Sequence, residues 1–409
     1  MEAGAVFYRQ KLAFRRFCAR HKHLYRVFSR WFRRDTNRAL REARKRDGID
    51  HNLVLFCSYR MEAYNDNPFY ISEALHAMRP QTEIAWMFTD VARARARFDI
   101  PGYVRCVQWD TPEGLYVLGR ARVLVDNWRK KDYLCLGREQ VYLFSPHHDR
   151  SFKHGVLSSK NRLYRRVLEA HADVATIGSE FNRRFLRKAY HFRGPTLDVG
   201  LPRNDILLRD DPADERRIRE KLGLDSGTRL LLYAPTFRDA DTEAGRRQAV
   251  PLDLERVLEV VRQAFGGKWL CLCRAHYASL GLDIRRTAAS GLVRDVTDYP
   301  EMAELLRVAD ALITDYSCCA GDFALREKPI WLYVADIDDY TRHNRRLFLN
   351  PLDTPFRCAR TPAELETLIR TTDQWSARAN CREILAFFGE FETGRAAMAA
   401  AEYICGKLV

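Results

Sequence analysis

No apolar run in this 409-residue chain reaches the ~18–20 residues that a membrane-spanning helix needs. The N-terminus also lacks the short apolar stretch and small-residue cleavage site of a secretory signal, although an Arg-rich transit peptide shares its composition. Proline is absent before Pro68. None of the 11 cysteines forms a CxxC pair: Cys271 and Cys273 are two apart and Cys318–Cys319 are adjacent. Neither arrangement has zinc spacing, so reduced, mostly buried thiols of a cytosolic protein are expected, with no metal and no cofactor. There is no GxGxxG, no Walker pattern, no internal repeat and no low-complexity tract.

What is present is 46% hydrophobic residues, which excludes disorder of the whole chain, and a length that suggests two domains. The net charge of +14 is unevenly placed. Residues 1–46 hold 15 Lys+Arg and three acids (Glu2, Asp35, Glu42), a net of +12 that leaves +2 for the rest. At about 100° per residue, Phe14, Phe17, Leu24, Tyr25, Phe28, Trp31 and Phe32 fall on one arc of a helix. Arg15, Arg16, Arg20, Lys22, Arg26, Arg30, Arg33 and Arg34 take the other side, and Gly48 is the expected stop. Aromatics opposite arginines suit an interfacial helix on anionic lipid, with Phe14, Phe17, Arg20, Phe28, Trp31 and Phe32 at the membrane. Docking of the stripe on the protein's own body, nucleic-acid binding and self-association are the competing readings.

From Leu53 onward, short apolar runs alternate with amphipathic stretches. Strands are expected at Leu53–Cys57, Glu83–Phe88, Val104–Gln108, Arg122–Val125, Val141–Phe144 and Val174–Ile177. A second set follows at Arg229–Ala234, Lys268–Arg274, Leu292–Val296, Ala311–Thr314 and Ile330–Val334. Helical periods cover Leu252–Phe265 and Glu301–Val308, and Asp210–Glu215 reads as a surface boundary. Such alternation implies two parallel sheets with helices on both faces. Ligands of such sheets bind beyond the carboxyl ends of strands.

Four constellations stand there. In Tyr233–Asp239, Thr236 and Arg238 follow a strand and suit phosphate oxygens, or form an ordinary turn. Arg274 and His276, two apart after Trp269–Cys273, can offer a cation and a proton; a lone His at a strand end is equally a structural residue. Ser317, in Thr314–Phe323, precedes an expected helix whose N–H groups favour phosphate, or simply caps that helix. In Pro146–Lys153, a histidine beside an acid and two cations can act as a general base, or the stretch is a polar surface loop.

Together these stretches resemble the CDP-glycerol glycerophosphotransferase family of teichoic-acid and capsule polymer synthesis. Gly200-Leu201-Pro202-Arg203-Asn204-Asp205 resembles its G-x-P-R-N-D stretch, Tyr233–Arg238 its Y-A-P-T-F-R, and Arg274 with His276 its R-x-H. Asp298-Tyr299 and Asp315-Tyr316-Ser317, followed by Asp322-Phe323, match further elements. Phe56-Cys57-Ser58 with Asn65-Asp66-Asn67-Pro68 is similar to another, without the glycine expected between them. The family's W-H-G-T-P-L-K is altered here to His147-His148-Asp149-Arg150-Ser151-Phe152-Lys153, and Cys318 stands where a second serine is usual.

The resemblance implies a GT-B-like α/β fold: two Rossmann-like domains facing across a cleft, plus the N-terminal amphipathic helical segment. Expected boundaries are 1–48 for the basic membrane segment, 49–205 for an acceptor domain, 206–375 for a CDP-donor domain and 376–409 for helices crossing back. It implies transfer of glycerol phosphate, or a related polyol phosphate, from CDP-glycerol or CDP-ribitol to an undecaprenyl-linked or polyol-phosphate acceptor at the cytoplasmic face of the membrane, with release of CMP. His148 would be the base, with His147 as the alternative, and His276 would serve the leaving group. Thr236, Arg238, Arg274, Asp298, Ser317 and Asp322 would hold the donor, and Lys153 would lie on the acceptor side. The length suggests a stand-alone enzyme without a fused glycosyltransferase module. A nucleotide-sugar glycosyltransferase of the same fold and a non-catalytic scaffold are the alternatives.

Overall fold

The computed structural model describes residues 22–128, 134–153, 172–190, 192–236, 252–274, 291–344 and 346–408. The chain begins with helix α1 (Lys22–Asp47), which Gly48 ends in a left-handed conformation at φ 69°. The first sheet follows as β1 (Asp50–Cys57), β2 (Glu83–Phe88), β3 (Val104–Gln108), β4 (Ala121–Asp126), β5 (Val141–Phe144), β6 (Val174–Ile177) and β7 (Thr196–Asp198). The second contains β8 (Arg229–Ala234), β9 (Trp269–Cys273), β10 (Val293–Asp295), β11 (Ala311–Thr314), β12 (Ile330–Tyr333) and β13 (Cys358–Ala359). Helices used below are α2 (Asp66–Met78), α3 (Pro112–Arg120), α4 (Glu180–Tyr190), α5 (Leu254–Phe265), α6 (Met302–Val308), α7 (Cys319–Phe323), α8 (Pro362–Thr371), α9 (Gln374–Phe388) and α10 (Ala396–Cys405).

The sheet orders are β3-β2-β1-β4-β5-β6-β7 and β10-β9-β8-β11-β12-β13. Each begins with a first strand flanked by the second and the fourth, the Rossmann order. Each therefore has a switch point where successive connections leave in opposite directions, between β1 and β4 and between β8 and β11. Neighbouring strands run parallel, with β8 registered on β11 from Leu231↔Ala311 to Ala234↔Thr314. Strands covered on both faces need apolar residues throughout. Accordingly β6, β9, β11 and β12 are buried along their whole length. In the second sheet Leu231, Tyr233, Cys271, Cys273, Ile313 and Trp331 pack against Val257, Leu258 and Val261 of α5 and Leu365 and Ile369 of α8.

Contacts divide the chain into two units. Unit 1 is 1–145, 171–175 and 400–409; unit 2 is 146–170 and 176–399. The expected boundary at 205/206 follows the order of the sheets, whereas the contacts group 146–170 and 176–205 with unit 2.

In unit 1 the C-terminal part of α1 docks on its own protein. Thr36, Asn37, Leu40 and Ala43 are buried. Arg44 donates to Gln140 Oε1 at 3.1 Å and to the Cys135 carbonyl at 3.0 Å, and Asn37 accepts from Cys135 N at 2.8 Å. Helix α3 lies so close that a Cβ on Gly119 would stand 3.0 Å from Ala43 Cβ and from the Leu40 carbonyl. Residues 36–47 therefore belong to the packed body, and only the part of segment 1–48 that precedes them is left for a separate role. Among the described residues all ten cysteines are free.

Removing the Leu40 side chain leaves a cavity under α1. Leu40→Ala is expected to lower the unfolding free energy by about 2–4 kcal/mol, read from urea denaturation. An unchanged midpoint would mean that the helix is not docked there.

Candidate functional site

The carboxyl ends of β9, β8 and β11 lie side by side in unit 2. Beyond β8, Thr236 is half-buried and its backbone N–H donates to Asp315 Oδ1 at 2.8 Å. Asp315 is buried and also accepts from its neighbour Tyr316 N at 2.6 Å. One carboxylate thus ties the two strand ends at the switch point together. Thr314 adds a bond from Oγ1 to the Ala234 carbonyl at 2.6 Å. Tyr316 is held by stacking on Tyr340 at 4.2 Å and by donating to Asp336 at 2.9 Å. Arg274 is half-buried just past β9, its backbone N–H bonded to the Tyr233 carbonyl at 2.9 Å.

The structure therefore brings Thr236, Arg274 and Ser317 to three neighbouring strand ends. Ser317 Oγ accepts from Cys319 N at 3.4 Å. The helix that follows, α7, has only five residues, too few turns for a strong dipole. Asp298 is exposed, past the edge strand β10. Arg238 and His276 lie outside the described residues. So do Phe14, Phe17 and Arg20 and the side chains of Phe28, Trp31 and Phe32.

The stretch 147–153 lies in unit 2 beside α7. His147 and His148 rest with ring centroids 3.6 Å apart. The His147 carbonyl accepts from Cys318 Sγ at 3.8 Å. Burial pushes the Cys318 thiol up to about 12, so at neutral pH it stays protonated and serves as a weak donor. Ser151 Oγ donates to the Lys153 carbonyl at 2.8 Å, and the Phe152 carbonyl accepts from Phe348 N at 2.8 Å.

Arg150, two residues after His148, is fully buried. Its Nη2 donates to Glu392 Oε1 at 2.5 Å and to Asp322 Oδ1 at 3.1 Å, and its Nη1 to the Gly178 carbonyl at 3.1 Å. Asp322 also accepts from Arg203 Nη2 at 2.9 Å and Nε at 3.2 Å and from Asn204 Nδ2 at 3.1 Å. Asp149 accepts from Gly178 N at 2.7 Å, from its neighbour Arg150 N at 2.7 Å and from Ser179 Oγ. Glu392 accepts further from Asn204 Nδ2 at 2.7 Å and Leu201 N at 3.1 Å. Three glycines make the room. A Cβ on Gly178 would lie 2.8 Å from Asp149 Oδ2, one on Gly200 2.3 Å from Glu392 Oε2, and one on Gly321 2.5 Å from Arg150 Cβ. Asp205, next to this cluster in sequence, receives Ala396 N and Ala397 N at 2.9 and 2.8 Å and so starts α10.

This geometry changes how two motifs read. Both oxygens of Asp322 are taken up by arginines and an amide, so the side chain holds the structure together and is not placed to contact a ligand. Gly200–Asp205 is the partner set of that cluster. Glu392 was missed by sequence reasoning, and Asn204 was read only as part of a family motif; Arg150 and Glu392 are 242 positions apart, and no local pattern links them.

The cluster holds three carboxylates against two guanidiniums. Burial pushes Glu392 up to about 7, against the opposing pull of Arg150 and Asn204. Burial likewise raises Asp149, and raises Asp205 to about 6. For Arg150, burial favours loss of the proton, but Glu392, Asp149 and Asp322 outweigh it and raise its pKa.

The model of the family described as CDP-glycerol:poly(glycerophosphate) glycerophosphotransferase matches residues 39–406, most of the chain. The chain belongs to this family of transferases. It is 26% identical over 340 residues to the teichoic acid poly(glycerol phosphate) polymerase of Bacillus spizizenii, covering 80% of this chain and 82% of that one. It is 25% identical over 362 residues to the corresponding polymerase of Staphylococcus epidermidis, covering 85% of this chain but only 49% of the relative. Among solved structures, the wall teichoic acid polymerase TagF matches with a TM-score of 0.76 at 23% identity, over 94% of this chain and 96% of that one. This likeness supports the GT-B-like reading of the fold.

A carboxyl group whose pKa rises on folding takes up protons as the chain folds. Its contribution is most favourable below its unfolded pKa of about 4.3 and is lost as pH rises toward 7. Stability is therefore expected to fall between about pH 4.5 and 7, and Glu392→Gln to flatten that slope. Urea midpoints across this range measure it; an unchanged slope in the variant would remove Glu392 as the source. Arg150→Ala, which leaves buried carboxylates unpaired, is expected to cost about 3–5 kcal/mol in the same assay.

Proposed function

We propose that this protein transfers glycerol phosphate, or a related polyol phosphate, from a CDP-linked donor to a hydroxyl of a teichoic-acid or capsule polymer acceptor, releasing CMP. The match to the family over residues 39–406 carries this reading. The grouping of Thr236, Arg274 and Ser317 at neighbouring strand ends is consistent with it. The same match disfavours a nucleotide-sugar glycosyltransferase.

In this reaction an acceptor hydroxyl oxygen attacks the phosphorus of the polyol phosphate. Its proton passes to His148, the bond from phosphorus to the CMP oxygen breaks, and His276 stabilises or protonates the departing CMP. Phosphoryl transfer needs little covalent help from the protein but does need charge stabilisation. Arg238, Arg274 and the hydroxyls of Thr236 and Ser317 supply it, and Lys153 faces the acceptor. Asp322 acts through Arg150 and Arg203, by fixing the loop that carries His148.

No helix among the described residues is long and apolar enough to cross a membrane. For a lipid-linked acceptor, the aromatic and arginine faces before residue 34 would place the enzyme on an anionic bilayer at the cytoplasmic face. The docking of residues 36–47 sets where that segment ends. Deleting residues 1–33, which spares Leu40, is expected to abolish co-sedimentation with anionic vesicles while leaving donor binding intact. Retained vesicle binding would return the segment to a structural role.

Incubation with CDP-glycerol or CDP-ribitol and a glycerol-phosphate-primed lipid acceptor is expected to release CMP. His148→Ala is expected to lower the rate by about 10²–10⁴-fold. No CMP from either donor would overturn the reading, and normal turnover in the variant would overturn the assignment of the base.

A further inference from the structure

The first sheet has its own switch point, between β1 and β4, and the residues past those two strands are polar and locked to one another within unit 1. Asn127, just after β4, donates from Nδ2 to Ser58 Oγ at 3.1 Å, and its Oδ1 accepts from Tyr59 N at 2.9 Å. Ser58 Oγ donates to Asn65 Oδ1 at 3.1 Å, and Tyr59 Oη donates to Asp66 Oδ2 at 2.5 Å. Ser58, Asp66 and Asn127 are buried. Apolar sheet ends need no such floor, and the desolvation of these groups is a cost that packing alone does not require.

The turn above this floor is strained. Tyr59, Arg60 and Met61 are consecutive non-glycine residues with φ of 41°, 61° and 71°, and Asp66 has φ 60°. The family's expected glycine is absent here, and the turn carries an arginine instead. Met61 is pinned on both sides, its N–H bonded to the Ser58 carbonyl and its carbonyl to Thr89 N, both at 2.8 Å. Arg60 is exposed, with its guanidinium 4.6 Å from the ring centroid of Trp128, a residue of the β4 end. It makes no ion pair among the described residues. A left-handed conformation is costly for a residue with a Cβ, and a site that retains one spends stability on placing its side chain.

We infer that this switch point is the subsite for the acceptor, a polyol-phosphate chain, with Arg60 on a phosphodiester and the buried Ser58, Asp66 and Asn127 holding the turn that presents it. A guanidinium held on an indole suits a diffuse phosphodiester anion. The inference rests on the transferase reading above, whose donor side lies in the other unit's sheet.

The test uses the full chain, a short synthetic glycerol-phosphate oligomer and its lipid-linked counterpart. Arg60→Gly relieves the left-handed strain, so its melting temperature is expected to equal or exceed that of the wild type. The KM for both acceptors is expected to rise about tenfold or more, the scale of one lost charge-assisted contact, with the KM for CDP-glycerol unchanged. Calorimetric binding of the oligomer alone is expected to weaken in parallel, a readout that stands even if the wild type releases no CMP and the transferase reading fails. An unchanged acceptor KM and unchanged oligomer binding would overturn the inference. So would a weakening confined to the lipid-linked acceptor, or a fall in melting temperature with both KM values shifting together.

Discussion

Arg150 is the residue on which the site depends. A guanidinium cannot lose its proton at any relevant pH, so burying it commits the fold to carboxylates close by. Asp322 and Glu392 answer that demand directly, and Arg203 and Asn204 fill the remaining lone pairs of Asp322. The glycines at 178, 200 and 321 are needed because the cluster leaves no space for a Cβ on the surrounding backbone. Residues far apart in sequence are thereby constrained by one side chain, and that side chain lies two positions from His148.

The consequence is positional. For His148 in its proposed role as base, a flexible loop would have to find its geometry at each turnover, whereas a loop anchored between α7 and the residues before α4 holds it in advance. The anchoring is expensive, since three acids and two arginines share a dry space and one carboxyl keeps a proton up to about pH 7. The polar turn of unit 1 carries a related cost in another form, left-handed backbone at side-chain-bearing residues. Both stand where the Rossmann order would place ligands, beyond strand ends next to a switch point.

Much of the scaffold was legible in the sequence. Glu83–Phe88, Val104–Gln108, Val141–Phe144, Val174–Ile177, Arg229–Ala234 and Ala311–Thr314 fold as strands with the bounds read from the chain; apart from Val104–Gln108, where Arg105 is exposed, they are largely apolar runs, as strands covered on both faces require. β7 and β13 were not legible: they span three and two residues, and Asp198 interrupts any apolar run in β7. The family motifs were visible as strings, but their division of labour was not. Asp322 was read as a donor contact only through the family resemblance; its burial is a tertiary fact. Glu392 had no signal at all, since its partners Arg150, Leu201 and Asn204 lie far back in the chain. The placing of Arg150 in unit 2 was hidden in the same way, because its partners Gly178, Asp322 and Glu392 lie far along the chain.

The central claim is that Arg150 acts on the reaction through His148. A double-mutant cycle on the rate of CMP release, using Arg150→Lys, which keeps the buried charge, and His148→Ala, tests it most directly. If the claim is right, the two effects are strongly non-additive, and the double variant is no slower than His148→Ala alone. Rate losses that simply multiply would mean that Arg150 contributes independently of the histidine, and the account of the site would fail.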